Sequence, residues 1–147
     1  MYCAGRMRGI KFFNFPAFFQ ADEFLRKLGY DVVNPAYLDV LNGFDARDLP
    51  EDTDWSVLPS DLDMREVISR DLEFLCGCDT IYLLEGWMSS KGARSEKSVA
   101  EWLGLSVWYQ EVGDSPTTGR PYERVREMPP EALLMDQNHA MSGEEGF

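Results

Sequence analysis

The sequence is poor in the residues that hold metals and disulfides. Its 147 residues include one histidine, His139, and three cysteines, Cys3, Cys76 and Cys78. Cys76-Gly77-Cys78 has a single residue between its thiols, where redox and zinc pairs have two. Neither a zinc site nor a disulfide framework is expected, and the cysteines read as small buried hydrophobes. No metal and no cofactor are anticipated. Long apolar runs are missing as well, since none approaches the roughly 20 residues needed to span a bilayer. Met1-Tyr2-Cys3-Ala4-Gly5 leads directly into fold-like sequence, without the basic-then-apolar pattern of an export signal. The expectation is a cytoplasmic protein that does not engage membranes. Cations are scarce too: 14 Lys and Arg stand against 26 Asp and Glu, for a formal net charge of -12. That balance opposes binding to a nucleic acid polymer, which requires positive side chains along the phosphates.

The few cations are unevenly spread. Residues 1–30 carry Arg6, Arg8, Lys11, Arg26 and Lys27 against Asp22 and Glu23 alone. A small anion is therefore a better partner than a polymer. Hydrophobic residues make up 44% of the chain, enough for one globular core in a domain of this length.

Apolar patterning divides the chain into alternating elements. Met1 to Ala4 reads as a buried strand and Gly5-Arg6-Met7-Arg8-Gly9 as the turn after it. Pro16 suits the first turn of a helix with Phe15, Phe18, Phe19, Phe24, Leu25 and Leu28 on one face, and Gly29 stops it. Tyr30 to Val33 is a second strand, ended by Asn34-Pro35. Residues 36–60 form a long acidic loop with about one turn of helix, of the length often used for lids and binding loops. Ser60 caps a helix over 61–76. Thr80 to Leu84 is a third strand, apolar throughout as one buried on both faces should be. A helix over 93–103 and a strand from Leu105 to Tyr109 complete a domain at 1–110. The remainder, 111–147, is an acidic, partly disordered tail: eight acids against three arginines, with Pro129-Pro130 inside. Strands alternating with helices predict an α/β fold with a parallel sheet.

In open α/β sheets, ligands bind beyond the carboxyl ends of the strands. Two carboxylates stand out near there. Met64, Val67, Ile68, Leu72 and Leu75 form one helical stripe, and Asp71 falls within it. Glu96 lies three, four and seven residues before Val99, Ala100 and Leu103, on their face of the next helix. A carboxylate aimed at a core is costly unless paired or functional. One such residue is usually a structural acceptor, whereas two flanking the same strand point to a site. Gly5-Arg6-Met7-Arg8-Gly9 can turn backbone N–H groups and guanidinium groups toward an anion, a tight turn with solvated arginines being the alternative. Ser89-Ser90-Lys91-Gly92 can supply hydroxyls to the same anion, an ordinary polar loop being the alternative. Aromatic residues, 13% of the chain, are mostly core, with one or two available to stack on a planar base.

The order Tyr2-Cys3-Ala4-Gly5-Arg6-Met7-Arg8-Gly9, then Asn14-Phe15-Pro16-Ala17-Phe18, Asp71-Leu72 before Cys78-Asp79, and Gly92-Ala93-Arg94-Ser95-Glu96 resembles the nucleoside 2-deoxyribosyltransferase-like superfamily. The match is to its short bacterial and phage branch, related to the 2′-deoxynucleoside 5′-phosphate N-hydrolases. With the strand–helix alternation, the resemblance implies a flavodoxin- or Rossmann-like three-layer sandwich around a four- to five-stranded parallel sheet. It implies that Glu96 is the nucleophile, that Asp71 positions or protonates the substrate, and that Tyr2 holds the nucleophile and sugar. Gly5, Arg6, Arg8, Gly9, Ser89, Ser90 and Gly92 would bind substrate, with Arg8 and Ser90 at the phosphate. Where the transferase branch has a second aspartate, this chain has Ser90, which favours a 5′-monophosphate and hydrolysis. The implied activity is cleavage or transfer of the N-glycosidic bond of a nucleoside or its monophosphate through a glycosyl-Glu96 intermediate, in a homodimer or larger homo-oligomer. The alternatives are a non-catalytic nucleotide-binding or sensing protein and an NAD-cleaving glycosidase.

Overall fold

A computed structural model describes residues 1–110 and the backbone of 125–127. The chain forms β1 (Tyr2–Ala4), α1 (Phe15–Lys27), α2 (Pro35–Leu41), α3 (Met64–Cys76), β2 (Thr80–Leu83), α4 (Lys91–Leu103), β3 (Ser106–Gln110) and β4 (Val125–Glu127). The expected acidic tail otherwise lies outside the described residues. None of the described helices is long and apolar enough to cross a membrane.

The class is mixed α/β, with four α-helices and three parallel strands. Their order is β1-β2-β3, in register Tyr2↔Ile81, Cys3↔Tyr82 and Ala4↔Leu83, then Ile81↔Val107 and Tyr82↔Trp108. β4 adds to β3 in the antiparallel sense. The strand expected at Tyr30 to Val33 contracts to a single parallel bridge between Val33 and Tyr2. Two backbone bonds make that bridge, Cys3 N–H to Val33 O at 3.0 Å and Val33 N–H to Met1 O at 2.8 Å. Its neighbours are committed elsewhere. Tyr30 N–H closes the end of α1 by donating to Leu25 O. Asn34 caps α2 by accepting from Ala36 N–H, and Pro35 has no N–H to offer a ladder.

The pleat divides the core into two. Cys3, Tyr82 and Leu84 face α1 and α2 with Phe13, Phe15, Phe18 and Leu25, whereas Tyr2, Ala4, Ile81 and Leu83 face α3 and α4 with Leu75, Ala93 and Ala100. Successive side chains of a strand point to opposite faces, so adjacent residues feed different cores. Tyr2 thereby lies on the α3–α4 side.

Three helices depart from the sequence-based reading. α1 buries Phe15, Phe18, Ala21 and Leu25 as a helical stripe, while Leu28 is left exposed. α3 begins at Met64 behind Asp63, whose side chain accepts from Arg65 N–H, rather than behind Ser60. Of its apolar stripe only Leu75 is fully buried; Met64 and Ile68 are 39% and 52% exposed. The reason is length: 13 helical residues extend about 20 Å, against about 13 Å for the four residues of β2, so the amino-terminal turns of α3 overhang the sheet. α4 starts two residues early, at Lys91, which moves Glu96 from the first turn to the second.

Residues 36–60 are also more ordered than a loop. They contain α2 and a 3-10 turn at Ala46–Asp48, and Val40, Phe44, Ala46, Leu49, Trp55 and Leu58 join the first core.

Candidate active site

Tyr2 is the only polar-tipped side chain of β1, and it is fully buried. Its hydroxyl donates to Oε2 of Glu96, in the second turn of α4. Asp71, in the middle of α3, completes the group: its charge acts on both Tyr2 and Glu96. The three residues predicted to carry the chemistry are thus brought together on one face of the sheet. Asp71 can sit in the middle of α3 and still meet this group because the amino-terminal turns of the helix overhang the sheet.

Burial dominates the electrostatics. It raises the carboxyl of Glu96 to about 8, against the lowering effect of the Tyr2 hydrogen bond and with help from the charge of Asp71. Burial also raises Asp71, to about 6, opposed by the guanidinium of Arg70 and reinforced by Asp39. The phenol of Tyr2 is pushed well above its ordinary value, first by burial and then by the two carboxylates. Burial thus raises both carboxyls toward neutral pH, Glu96 further than Asp71, so that the pair favours sharing a proton there.

Two residues that the sequence reading did not single out adjoin this group. Arg70 donates from Nε and Nη2 to Oδ1 of Asp71, at 2.9 and 2.7 Å, and from Nη2 to Oδ1 of Asp39 at 2.7 Å. Asp39 belongs to α2 and is buried. The adjacency of Arg70 and Asp71 was a visible signal; nothing distinguished Asp39 from the other acids of 36–60.

The cationic turn lies at the carboxyl end of β1. Gly5 is needed for close approach, since a Cβ there would sit 2.9 Å from the Leu84 side chain. Gly9 has φ +84, and a Cβ there would lie 2.7 Å from Arg6 Nη2. Arg6 donates from Nε to Arg8 O at 3.0 Å, and its Nη1 lies 3.5 Å from Ser89 Oγ. This joins the β1 turn to the β2–α4 loop. The amide of Gly9 is already taken by Trp55 O at 2.7 Å, so an anion here would meet guanidinium groups and not that N–H. Arg8 is exposed, Ser89 Oγ donates to Gly86 O at 2.9 Å, and Ser90 Oγ caps α4 by accepting from Ala93 N–H at 3.1 Å. Gly92 is exposed in the first turn of α4.

Between this turn and α1 the backbone is unusual. Phe12, Phe13 and Asn14 take φ of 55, 48 and 62 in succession, a left-handed conformation that costs about 1–2 kcal/mol per non-glycine residue. Trp55 holds it by packing edge-on against Phe12 and Phe13, at centroid distances of 5.3 and 5.2 Å. Asn14 Nδ2 donates to Arg6 O at 2.8 Å, so the same segment fixes the backbone of the arginine loop. Sequence inspection gives no hint of it, because neither phenylalanine favours positive φ.

Two carboxyls and a tyrosine gathered on one face of the sheet can transfer protons and support carboxylate chemistry, and the guanidinium-bearing turn lies at the carboxyl end of β1. Residues 1–109 match the family described as "Domain of unknown function (DUF4406)", and the chain belongs to that family. The domain is associated with nucleoside 2-deoxyribosyltransferase-like proteins. Comparison with curated proteins and with solved structures gave no significant match.

Proposed function

We propose that the protein cleaves the N-glycosidic bond of a deoxynucleoside 5′-monophosphate, with Glu96 as nucleophile and Asp71 as proton donor, on a flavodoxin- or Rossmann-like three-layer scaffold. The observation that carries the reading is the hydrogen bond from a fully buried Tyr2 to Glu96, within the field of a second half-buried carboxyl. A glutamate needs such orientation to attack a sugar carbon.

In the first step Glu96 forms a bond to C1′ as the bond from C1′ to the base nitrogen breaks. The electron pair leaves with the base, which takes the proton of Asp71. In the second, water adds to C1′, its proton passes to the Asp71 carboxylate, and Glu96 departs with its electron pair. This cycle needs Glu96 ionised and Asp71 protonated. The free protein at neutral pH favours the reverse, so substrate binding must move the shared proton from Glu96 to Asp71. The Tyr2 hydrogen bond assists by favouring the glutamate anion. Arg6 and Arg8, at the carboxyl end of β1, and Ser89, after β2, would receive the 5′-phosphate, and a homodimer is the proposed assembly.

A second reading has its own support: a Glu96 that holds a proton at neutral pH suits a protein that binds a nucleotide without cleaving it. The test is to incubate nucleosides and their monophosphates with wild type and Glu96→Gln and to separate the products by chromatography. Free base from wild type alone supports the glycosidase. Ligand binding with no base from either protein supports the sensor. Equal release by both would remove Glu96 from the mechanism.

A further inference from the structure

Adjacent residues of a helix point in different directions, and side-chain pairs normally form three or four positions apart. Arg70 and Asp71 nevertheless form a two-bond contact, with both bonds ending on Oδ1. The arm of Arg70 is turned toward Asp71 by a third residue, Asp39, which shares Nη2. Side-chain exposures of 18% for Arg70, 8% for Asp39 and 16% for Asp71 place the group largely out of water. It also spans the sheet edge: α2 packs in one core, α3 in the other, and beyond Val33 no further strand intervenes among the described residues.

Burying two carboxylates with one guanidinium is expensive, and as a brace alone the group could be replaced by apolar contact at no loss. Its geometry, however, discriminates between the oxygens of Asp71. Oδ1 accepts both bonds, and among the described residues Oδ2 accepts none. We propose that Arg70, aimed by Asp39, is a positioning residue that fixes negative charge on Oδ1 of Asp71 and leaves Oδ2 as the oxygen that carries the transferable proton. The catalytic meaning of this clamp rests on the glycosidase reading; the clamp itself does not.

The ionisable groups around Asp71 are Arg70 on its own helix, Asp39 on α2, Glu96 on α4 and Tyr2 on β1. Arg70 lowers the carboxyl of Asp71 and Asp39 raises it. Removing each should therefore move Asp71 in opposite directions, which no loss of mechanical support would do.

The experiment is a carbon-13 titration of aspartate carboxyls in the full chain, with Asp71 assigned through Asp71→Asn. In Arg70→Gln the midpoint of Asp71 should rise by a unit or more above the wild-type value of about 6. In Asp39→Asn, whose amide oxygen can still accept from Nη2 while the negative charge is gone, it should fall, and Arg70→Lys, which keeps the charge without the fork, should lie between wild type and Arg70→Gln. An unchanged midpoint in folded Arg70→Gln, or a shift of the same sign in Asp39→Asn, overturns the proposal. If Arg70→Gln does not fold, Arg70→Lys decides: a rise of the Asp71 midpoint supports the clamp and an unchanged midpoint overturns it. Base release is followed in parallel. Absence of release by wild type would sink the glycosidase reading while the titration still decides the clamp, and where release occurs its pH profile should move with the Asp71 midpoint.

Discussion

The hydroxyl of Tyr2 donates to Oε2 of Glu96 across 94 residues of sequence, from the edge strand β1 to the second turn of α4. The bond favours the glutamate anion in a setting where burial disfavours it.

Tyr2→Phe removes that donor and little volume. The carboxyl of Glu96 should rise further above 8, so less of it is ionised at neutral pH. A hydrogen bond to a charged group contributes ~1.5–3 kcal/mol, which predicts roughly a 10- to 100-fold loss of kcat/KM at pH 7, partly recovered at higher pH. Steady-state base release across pH checks it. A loss of equal size at every pH would mean that Tyr2 does not act through the ionisation of Glu96.

The raised carboxyl of Glu96 makes stability fall with rising pH. From the ordinary glutamate value of 4.5 to about 8, the folded chain keeps a proton that the unfolded chain has released. Stability therefore declines through that window and is lowest above it. Asp71 adds an effect of the same sign up to about 6. Glu96→Gln lacks the Glu96 contribution and should be more stable than wild type by roughly 5 kcal/mol at pH 9, with the gap nearly closed below pH 4.5. Urea unfolding at several pH values measures this. Parallel curves for the two proteins would show that Glu96 titrates normally.

Arg8 is exposed in the cationic turn. Arg8→Ala should raise KM for monophosphates by roughly 10- to 100-fold, the loss of one charge-assisted contact, and leave unphosphorylated nucleosides within about twofold. Equal losses on both substrate types would dissociate Arg8 from the phosphate.

Trp55 holds the left-handed turn through Phe12 and Phe13 and accepts the Gly9 amide through its backbone. Trp55→Ala should cost about 2–4 kcal/mol, somewhat less than for a fully buried aromatic. Because the strained turn then loses its support, amide exchange at residues 6–14 should accelerate more than in β2. Uniform acceleration throughout the domain would mean that the turn is held by something else.

Much of this arrangement is legible in the chain. β1 and β2 lie where nearly continuous apolar runs put them, because strands covered on both faces have few polar positions to confuse the signal, and β3 lies within one residue of its expected place. Asp71 and Glu96 betray themselves as charged residues within apolar helical stripes. Less was visible at Tyr30 to Val33, where α1 closes and α2 is capped within a few residues, leaving room for one bridge. The same holds for 36–60, whose acidic surface positions mask the spaced apolar residues that enter the first core.

The sequence by itself determined the alternation of elements, the arginine-bearing turn and the two misplaced carboxyls, since each follows from local pattern and the cost of burying charge. Only the tertiary structure decided that Arg70 reaches round to Asp71, that Asp39 aims it, and that Trp55 props a left-handed turn of two phenylalanines. Those contacts join residues from separate elements at the sheet edge and above the β1 turn. No one-dimensional spacing encodes them, because they exist only where packed helices bring distant side chains within a few ångströms.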